Sequence, residues 1–166
     1  MFYSTDKGRT FTKYEHNPVI VNTEGMSPDF RDPKVMWYEP ASLWVMAVAG
    51  PERIEFWSSA NLIDWQFESC FGEGKGAHGG EWECPDLRYM PIDSNSGKRA
   101  WVLIVSVNPG GPNGGCGTQY FIGDFAEIDG KFTFSSQQSE VKWLDWGMDN
   151  YAGVGWTNLE GSKFGD

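Results

Sequence analysis

Three acidic residues open aromatic-rich segments of this chain: Asp32 in Phe30-Arg31-Asp32-Pro33, Glu83 in Trp82-Glu83-Cys84-Pro85, and Asp149 in Gly147-Met148-Asp149-Asn150-Tyr151. If those segments begin strands that converge, the carboxylates converge with them. Convergent carboxylates are what acid-assisted cleavage of a glycosidic bond requires. The competing assignment for each is a turn former or a solvated strand end. Pro33 biases the backbone of Asp32 toward extended geometry, and Arg31 can make charge-assisted contacts to substrate hydroxyls. Glu81 and Glu83 stand two apart, so on a strand they share one face while Trp82 points away. Glu81 is then either a solvated rim charge or an electrostatic neighbour of Glu83. Cys84 is expected to pack rather than react. Trp82 and Trp57 are the tryptophans suited to stack on a sugar ring, whereas Trp37, Trp44, Trp101 and Trp143 read as core.

Other chemistries find little support. The cysteines Cys70, Cys84 and Cys116 are odd in number and fit no zinc spacing, and neither they nor His16 and His78 imply a metal or a disulfide framework. The run 108–117 is glycine-rich but lacks the Gly-Lys-Ser/Thr ending of a phosphate loop, so it reads as a long turn. No cofactor is expected. With 13 Lys and Arg against 23 Asp and Glu the net charge is −10, which speaks against nucleic acid and against an anionic membrane surface. No apolar run approaches the roughly 20 residues that cross a bilayer. The opening Met1-Phe2-Tyr3-Ser4-Thr5-Asp6 has neither a basic nor an apolar signal region, and the compartment is left open.

The elements that must position these residues are strands. The chain of 166 residues holds 21 Gly, 9 Pro, 9 Trp, 11 Phe and 6 Tyr, a mixture of turn formers and strand-favouring aromatics that indicates an all-β protein. Phe2-Tyr3-Ser4-Thr5-Asp6 leading to Phe11 has an echo in Phe56-Trp57-Ser58-Ser59 leading to Trp65. A weaker echo runs from Phe121 to Phe134. Each reads as a hairpin. The openings at Phe2, Phe56 and Phe121 lie 54 and 65 residues apart, and Pro33, Pro85 and Asn150 keep steps of 52 and 65. Two further strands fit between the markers: Lys34–Tyr38 and Leu43–Ala49 in one unit, Leu87–Met90 and Ala100–Val107 in the next, the latter pair joined by Asp93-Ser94-Asn95-Ser96-Gly97. Four strands per unit, at a step somewhat above the roughly 40–50 residues of familiar blade repeats, predicts a partial β-propeller with four-stranded antiparallel blades. The expected contents are half a blade, two whole blades and the first strand of another, about three in all. The alternative is a small closed β-sandwich. Unpaired blade edges would favour association. The stretch from Ser4 to Phe11 also has the form of an Asp-box, expected to be a structural turn.

Four stretches carry a more specific likeness. Phe30-Arg31-Asp32-Pro33-Lys34-Val35 and Trp82-Glu83-Cys84-Pro85-Asp86-Leu87 resemble the internal signatures of glycoside hydrolase family 32, the invertases, inulinases and levanases. The run 106–115 continuing to Gln119-Tyr120-Phe121 resembles the segment that follows, as does Leu144-Asp145-Trp146-Gly147 through Asp149 and Tyr151-Ala152. The likeness spans about residues 2–158 in the family's order. It implies a five-bladed propeller followed by a β-sandwich, and hydrolysis, with retention, of terminal β-fructofuranosyl bonds of sucrose, fructo-oligosaccharides or fructans. It implies Glu83 as general acid/base and Asp32 as transition-state stabiliser. Arg31, Trp82, Gln119 and Asp149 would lie near substrate. The family's nucleophile is an Asp in an Asn-Asp-Pro-like segment, and nothing between Met1 and Arg31 matches it. Residues 1–166 are therefore expected to be a piece of the catalytic propeller, without its first blade and without the sandwich, and inactive alone. The competing function is a non-catalytic carbohydrate-binding piece, or a subunit completed by a separate first blade.

Overall fold

The computed structural model describes residues 1–22, 28–93 and 97–156. Apart from a 3-10 turn at Glu39–Ala41, its regular elements are strands. A two-stranded hairpin, β1 (Phe2–Tyr3) and β2 (Thr12–Lys13), comes first. Two antiparallel four-stranded sheets follow. One holds β3 (Arg31–Tyr38), β4 (Leu43–Gly50), β5 (Arg53–Ser59) and β6 (Gln66–Phe71). The other holds β7 (Glu81–Pro91), β8 (Arg99–Asn108), β9 (Gly117–Ile128) and β10 (Lys131–Ser135). Spatial order equals chain order in both sheets, so each is an up-and-down meander. First strand lies against first strand (β3 and β7), and last against last (β6 and β10). That is the arrangement of adjacent propeller blades. A sandwich with Asp32 and Glu83 on opposite outer faces is thereby ruled out.

The turns follow local chemistry. In the first hairpin Asp6 accepts hydrogen bonds from the Arg9 and Thr10 amides at 3.0 and 2.9 Å, and Ser4 Oγ accepts one from the Gly8 amide at 2.8 Å. The equivalent turn of the first full blade uses Asn61, whose Oδ1 accepts from the Ile63 and Asp64 amides, both at 2.9 Å. The Asp-box likeness is thus a turn device. Of the expected connector 93–97, residues 94–96 lie outside the described ones.

The core is the wedge between the two sheets. Ala47, Ala49, Ile54 and Phe56 face Leu87, Leu103, Val105 and Phe121, all buried. Aromatic rings fill the wider outer part: Tyr38 on Phe125 at 5.4 Å, Phe56 on Phe125 at 5.4 Å, Phe71 on Phe134 at 5.0 Å. Edge-to-face pairs of this kind add about 0.5–1.5 kcal/mol each beyond area burial. The Tyr38 hydroxyl donates to the Phe125 carbonyl at 3.2 Å, and burial pushes its ionisation upward. Outside the wedge, Lys131 Nζ bonds the Phe67 carbonyl and Ser69 Oγ the Phe132 carbonyl, tying the outer strands of the two blades.

Two sequence expectations fail here. Trp37, expected in the core, is 43 % exposed, because beyond the slip between Arg31 and Lys34 the odd positions of β3, Val35 and Trp37, face away from the second blade. The strand expected to open at Asp149-Asn150 does not form. Residues 149–156 have no strand pairing, and their backbone groups are met by side chains: Thr118 on Asn150, Ser106 on Ala152, Asp86 and Lys34 on Gly155.

Candidate active site

The site is built where β3 and β7 begin, and both strands begin with the same irregularity. The pairing of β3 with β4 slips between Arg31 and Lys34, and that of β7 with β8 slips between Glu83 and Asp86. Inside each slip is a residue with positive φ immediately before a proline: Asp32 at 58° and Cys84 at 49°. The extended geometry expected for Asp32 is therefore wrong. A proline disfavours a helical backbone before it, but a bulge places one extra residue on a strand and re-aims its side chain. Each such residue costs about 1–3 kcal/mol, held in place by the ladders on either side.

The two bulges meet rung for rung. Arg31 Nε and Nη2 donate to Glu83 Oε1 at 3.1 and 2.9 Å. The Cys84 amide donates to Asp32 Oδ2 at 3.1 Å, and the Cys84 thiol lies 3.6 Å from the same oxygen. Lys34 Nζ lies 3.5 Å from Asp86 Oδ1. Arg31 Nη1 also bonds Asp29. The Glu83 side chain is 16 % exposed and that of Arg31 is 32 % exposed, so the acid faces solvent from a fixed mount. Its second oxygen accepts a hydrogen bond from the Tyr151 hydroxyl.

Electrostatics follow the contacts. Hydrogen bonds to Asp29 and then to Glu83 push the Arg31 guanidinium further from deprotonation. Burial, followed by the bond to Glu83, raises the ionisation of Tyr151. Burial first and the Asp32 charge second push the Cys84 thiol up to about 11, so at neutral pH it is a protonated donor. That agrees with Cys84 packing beside the acid.

The remaining sequence candidates fall elsewhere. Trp82 is 1 % exposed, stacked on His78 at 4.9 Å and lying against Phe121, with its indole N–H on the Ala77 carbonyl. Both faces of the ring are taken, and it has no room for a sugar. Trp57 is half-buried between Phe30 and Phe67. Gln119 is fully buried, its amide oxygen bonded to the Ala77 amide and its nitrogen to the Ala77 carbonyl, so it clamps the 72–80 loop above β7. Asp149 is exposed, and among the described residues its side chain makes no hydrogen bond to Glu83. Glu81 is exposed at the rim. Among the described residues no three His, Cys, Asp or Glu side chains are grouped to hold a metal ion.

The sequence candidates omitted Tyr151, Asp29, Lys34 and Asp86 as site residues. The signal for two of them was present: aligning Pro33 with Pro85 sets Arg31 opposite Glu83 and Lys34 opposite Asp86, complementary charges at one 52-residue offset. Beside Arg31, an open cleft of about 480 Å³ is lined by Pro18, Val19, Ile20, Phe30, Met46 and Val48.

The motif order, the blades and the paired bulges can be set against known proteins. The model of the glycosyl hydrolases family 32 N-terminal domain matches residues 1–164. The chain belongs to glycosyl hydrolase family 32. Within the family it is 49 % identical over 158 residues to a levanase of Bacillus subtilis (strain 168), covering 95 % of this chain and 23 % of that protein. It is 43 % identical over 152 residues to Invertase 2 of Saccharomyces cerevisiae, covering 90 % of this chain and 27 % of that protein. A structure of fructofuranosidase from Schwanniomyces occidentalis complexed with fructose superposes with a TM-score of 0.80 at 44 % identity, covering 91 % of this chain and 28 % of that one. The chain spans about a quarter of the length of the curated relatives it matches. Its sheets are blades of the family's β-propeller.

Proposed function

We propose that residues 1–166 are part of the catalytic propeller of a β-fructofuranosidase that hydrolyses terminal β-fructofuranosyl bonds of sucrose or fructans with retention. The observation that carries this is the meeting of the two bulges, with Glu83 and Asp32 on adjacent first strands and Arg31 fixing the acid. Relatives named levanase and invertase, and a neighbour complexed with fructosylnystose, support the substrate class.

In this mechanism Glu83 gives its proton to the glycosidic oxygen as the bond from the anomeric carbon breaks. The fructosyl group passes to a carboxylate nucleophile, and Glu83 then takes a proton from the water that releases fructose. Asp32, ionised and aimed by its bulge, stabilises the oxocarbenium-like charge and accepts hydrogen bonds from ring hydroxyls. Arg31 restrains the rotamers of Glu83. The nucleophile, about 5–5.5 Å from Glu83 in a retaining site, would come from polypeptide other than residues 1–166, together with the first blade and the sandwich.

The test is fructose release from sucrose, inulin and levan by the complete protein containing this chain. Glu83→Gln is expected to lower kcat by about 10²–10⁴-fold, the usual worth of general acid–base help, with a smaller loss on an aryl fructoside whose leaving group needs no proton. Residues 1–166 alone are expected to release no more fructose than their own Glu83→Gln variant. An unchanged kcat in the Glu83→Gln complete protein overturns the role of Glu83. Full activity of residues 1–166 overturns the missing nucleophile, and Asp149 is then the first carboxylate to replace. A complete protein that binds fructans without releasing fructose favours the carbohydrate-binding alternative.

A further inference from the structure

We propose that Asp86 is a positioning residue, which grips the backbone of Gly155 from beneath the site and so holds the Tyr151 hydroxyl against the Glu83 carboxylate. The proposal rests on Glu83 being the proton donor of the reaction above.

Residues 149–156 lie across the ends of β7 and β8 without strand pairing, so something else must fix their path. Asp86 is fully buried, and its Oδ2 accepts the Gly155 amide hydrogen. Lys34 Nζ donates to the Gly155 carbonyl at 2.9 Å while lying 3.5 Å from Asp86 Oδ1. Arg88 Nη2 donates to the Trp156 carbonyl at 2.7 Å, with Nη1 3.8 Å from Asp86 Oδ2. One residue, Gly155, is thus held at both its N–H and its C=O by charged side chains of two adjacent blades. A Cβ at position 155 would displace the Arg88 guanidinium that holds the Trp156 carbonyl.

Well-packed apolar groups often replace a buried ion cluster without loss of stability, so packing alone does not call for Asp86. Its Oδ1 has no hydrogen bond and only the Lys34 ion pair. What the carboxylate adds is direction, through its other oxygen, at the Gly155 amide. Before Tyr151, Thr118 holds the Asn150 carbonyl at 3.0 Å; after it, on the same side as Gly155, Ser106 Oγ accepts from the Ala152 amide at 2.9 Å. Tyr151 is therefore suspended between anchors, and its hydroxyl reaches Glu83. Glu83 and Asp86 are three residues apart on β7, so one strand carries both the acid and the anchor of the acid's partner.

The experiment is a double-mutant cycle in the complete protein, with Asp86→Asn, Tyr151→Phe and both. It is paired with the NMR signal of the Tyr151 ring Cζ in tyrosine-labelled protein, assigned by Tyr151→Phe. Asn has a single acceptor oxygen and can face the Gly155 amide only by turning its NH2 onto Lys34 Nζ, so Asp86→Asn is expected to lower kcat about tenfold, the size of one lost hydrogen bond to a charged group, with KM within about twofold. Combined with Tyr151→Phe it should cost little more. The Cζ signal should move toward that of free tyrosine, as it does in Glu83→Gln. An unmoved Cζ signal, or losses of kcat that multiply in the double variant, overturns the proposal. The ring signal needs no turnover. A moved signal in a protein that releases no fructose keeps the anchor and removes the function, and fructose release with an unmoved signal does the reverse. If Asp86→Asn does not fold, Lys34→Gln frees the Gly155 carbonyl and is read by the same two measurements.

Discussion

At the scale of single residues, the site depends on side chains that restrain other side chains. Arg31 spends three nitrogens on two carboxylates, Glu83 and Asp29, an arrangement the point charge of a lysine cannot copy. Cys84 shows how little a residue beside an acid need react. Its thiol is held up at about 11 by burial and by Asp32, so the folded state keeps the proton through the range where an unfolded thiol, ordinarily near 9, loses it. The stabilisation tied to this proton is complete below pH 9 and fades as pH rises toward 11. Alkylation read by mass spectrometry should modify exposed Cys70 first at pH 8. The rate at Cys84 should climb about tenfold per pH unit until near 11, in step with the thiolate fraction. Equal labelling of the two at pH 8 would contradict this protonated, hydrogen-bonded thiol.

At the scale of elements, the hairpin β1–β2 stands on its turn. Its strands are two residues each, so the order of the loop comes from Asp6 and Ser4 rather than from a ladder. The Thr10 amide, then the Thr10 hydroxyl and then Ser4, hold the Asp6 carboxyl at about 2 against an ordinary 3.8. A depressed carboxylate stabilises the fold above its unfolded value and loses that contribution as pH falls through its folded one. The amide shifts of Arg9 and Thr10 should therefore stay constant down to about pH 3 and change together with a midpoint near 2. In Asp6→Asn that transition should vanish while the core signals of β4 and β8 remain. A transition at the same pH in Asp6→Asn would show that another group controls the turn. The same logic of a polar group accepting from amides across a turn recurs at Asn61, where the acceptor itself carries no charge.

At the scale of the molecule, the two blades cover only one face of each other. On the far face of the first blade the row Val35, Met46, Trp57 and Phe67 crosses all four strands; its ends Val35 and Phe67 are 36 % and 43 % exposed, while Met46 is buried and Trp57 half-buried. On the far face of the second, Met90 is 36 % and Ile122 42 % exposed. Exposed apolar side chains lie here on faces that neighbouring blades cover in a propeller, where they favour contact. In isolation, residues 1–166 should associate as concentration rises, giving a weight-average mass in sedimentation equilibrium above 18.7 kDa. Val35→Lys combined with Phe67→Lys should reduce it. A monomer at every concentration would show that these faces do not drive contact.

What the sequence determined by itself was local or repeated. The hairpins, the strands from Lys34 to Val107, the blade step and the two proline motifs were legible because turn chemistry and a period of two are written within a few residues, and because the repeat writes them twice. Family membership followed from four stretches in order. The tertiary structure decided which side chains are free. Alternation along a strand separates its two faces, but in a propeller both faces meet neighbours, so the pattern could not tell that Trp82 is sealed while Trp37 is exposed. Nor could a local preference before proline foresee the positive φ of Asp32, since the bulge is imposed by the ladders on either side of it. Asp149 was read from its place at the opening of a segment and from the motif, while it is Tyr151, two residues on, whose hydroxyl bonds Glu83. That difference was set by side chains of β3, β7, β8 and β9 gripping a segment that pairs with no strand. Such contacts join residues 32 to 121 positions apart and leave no trace in local pattern.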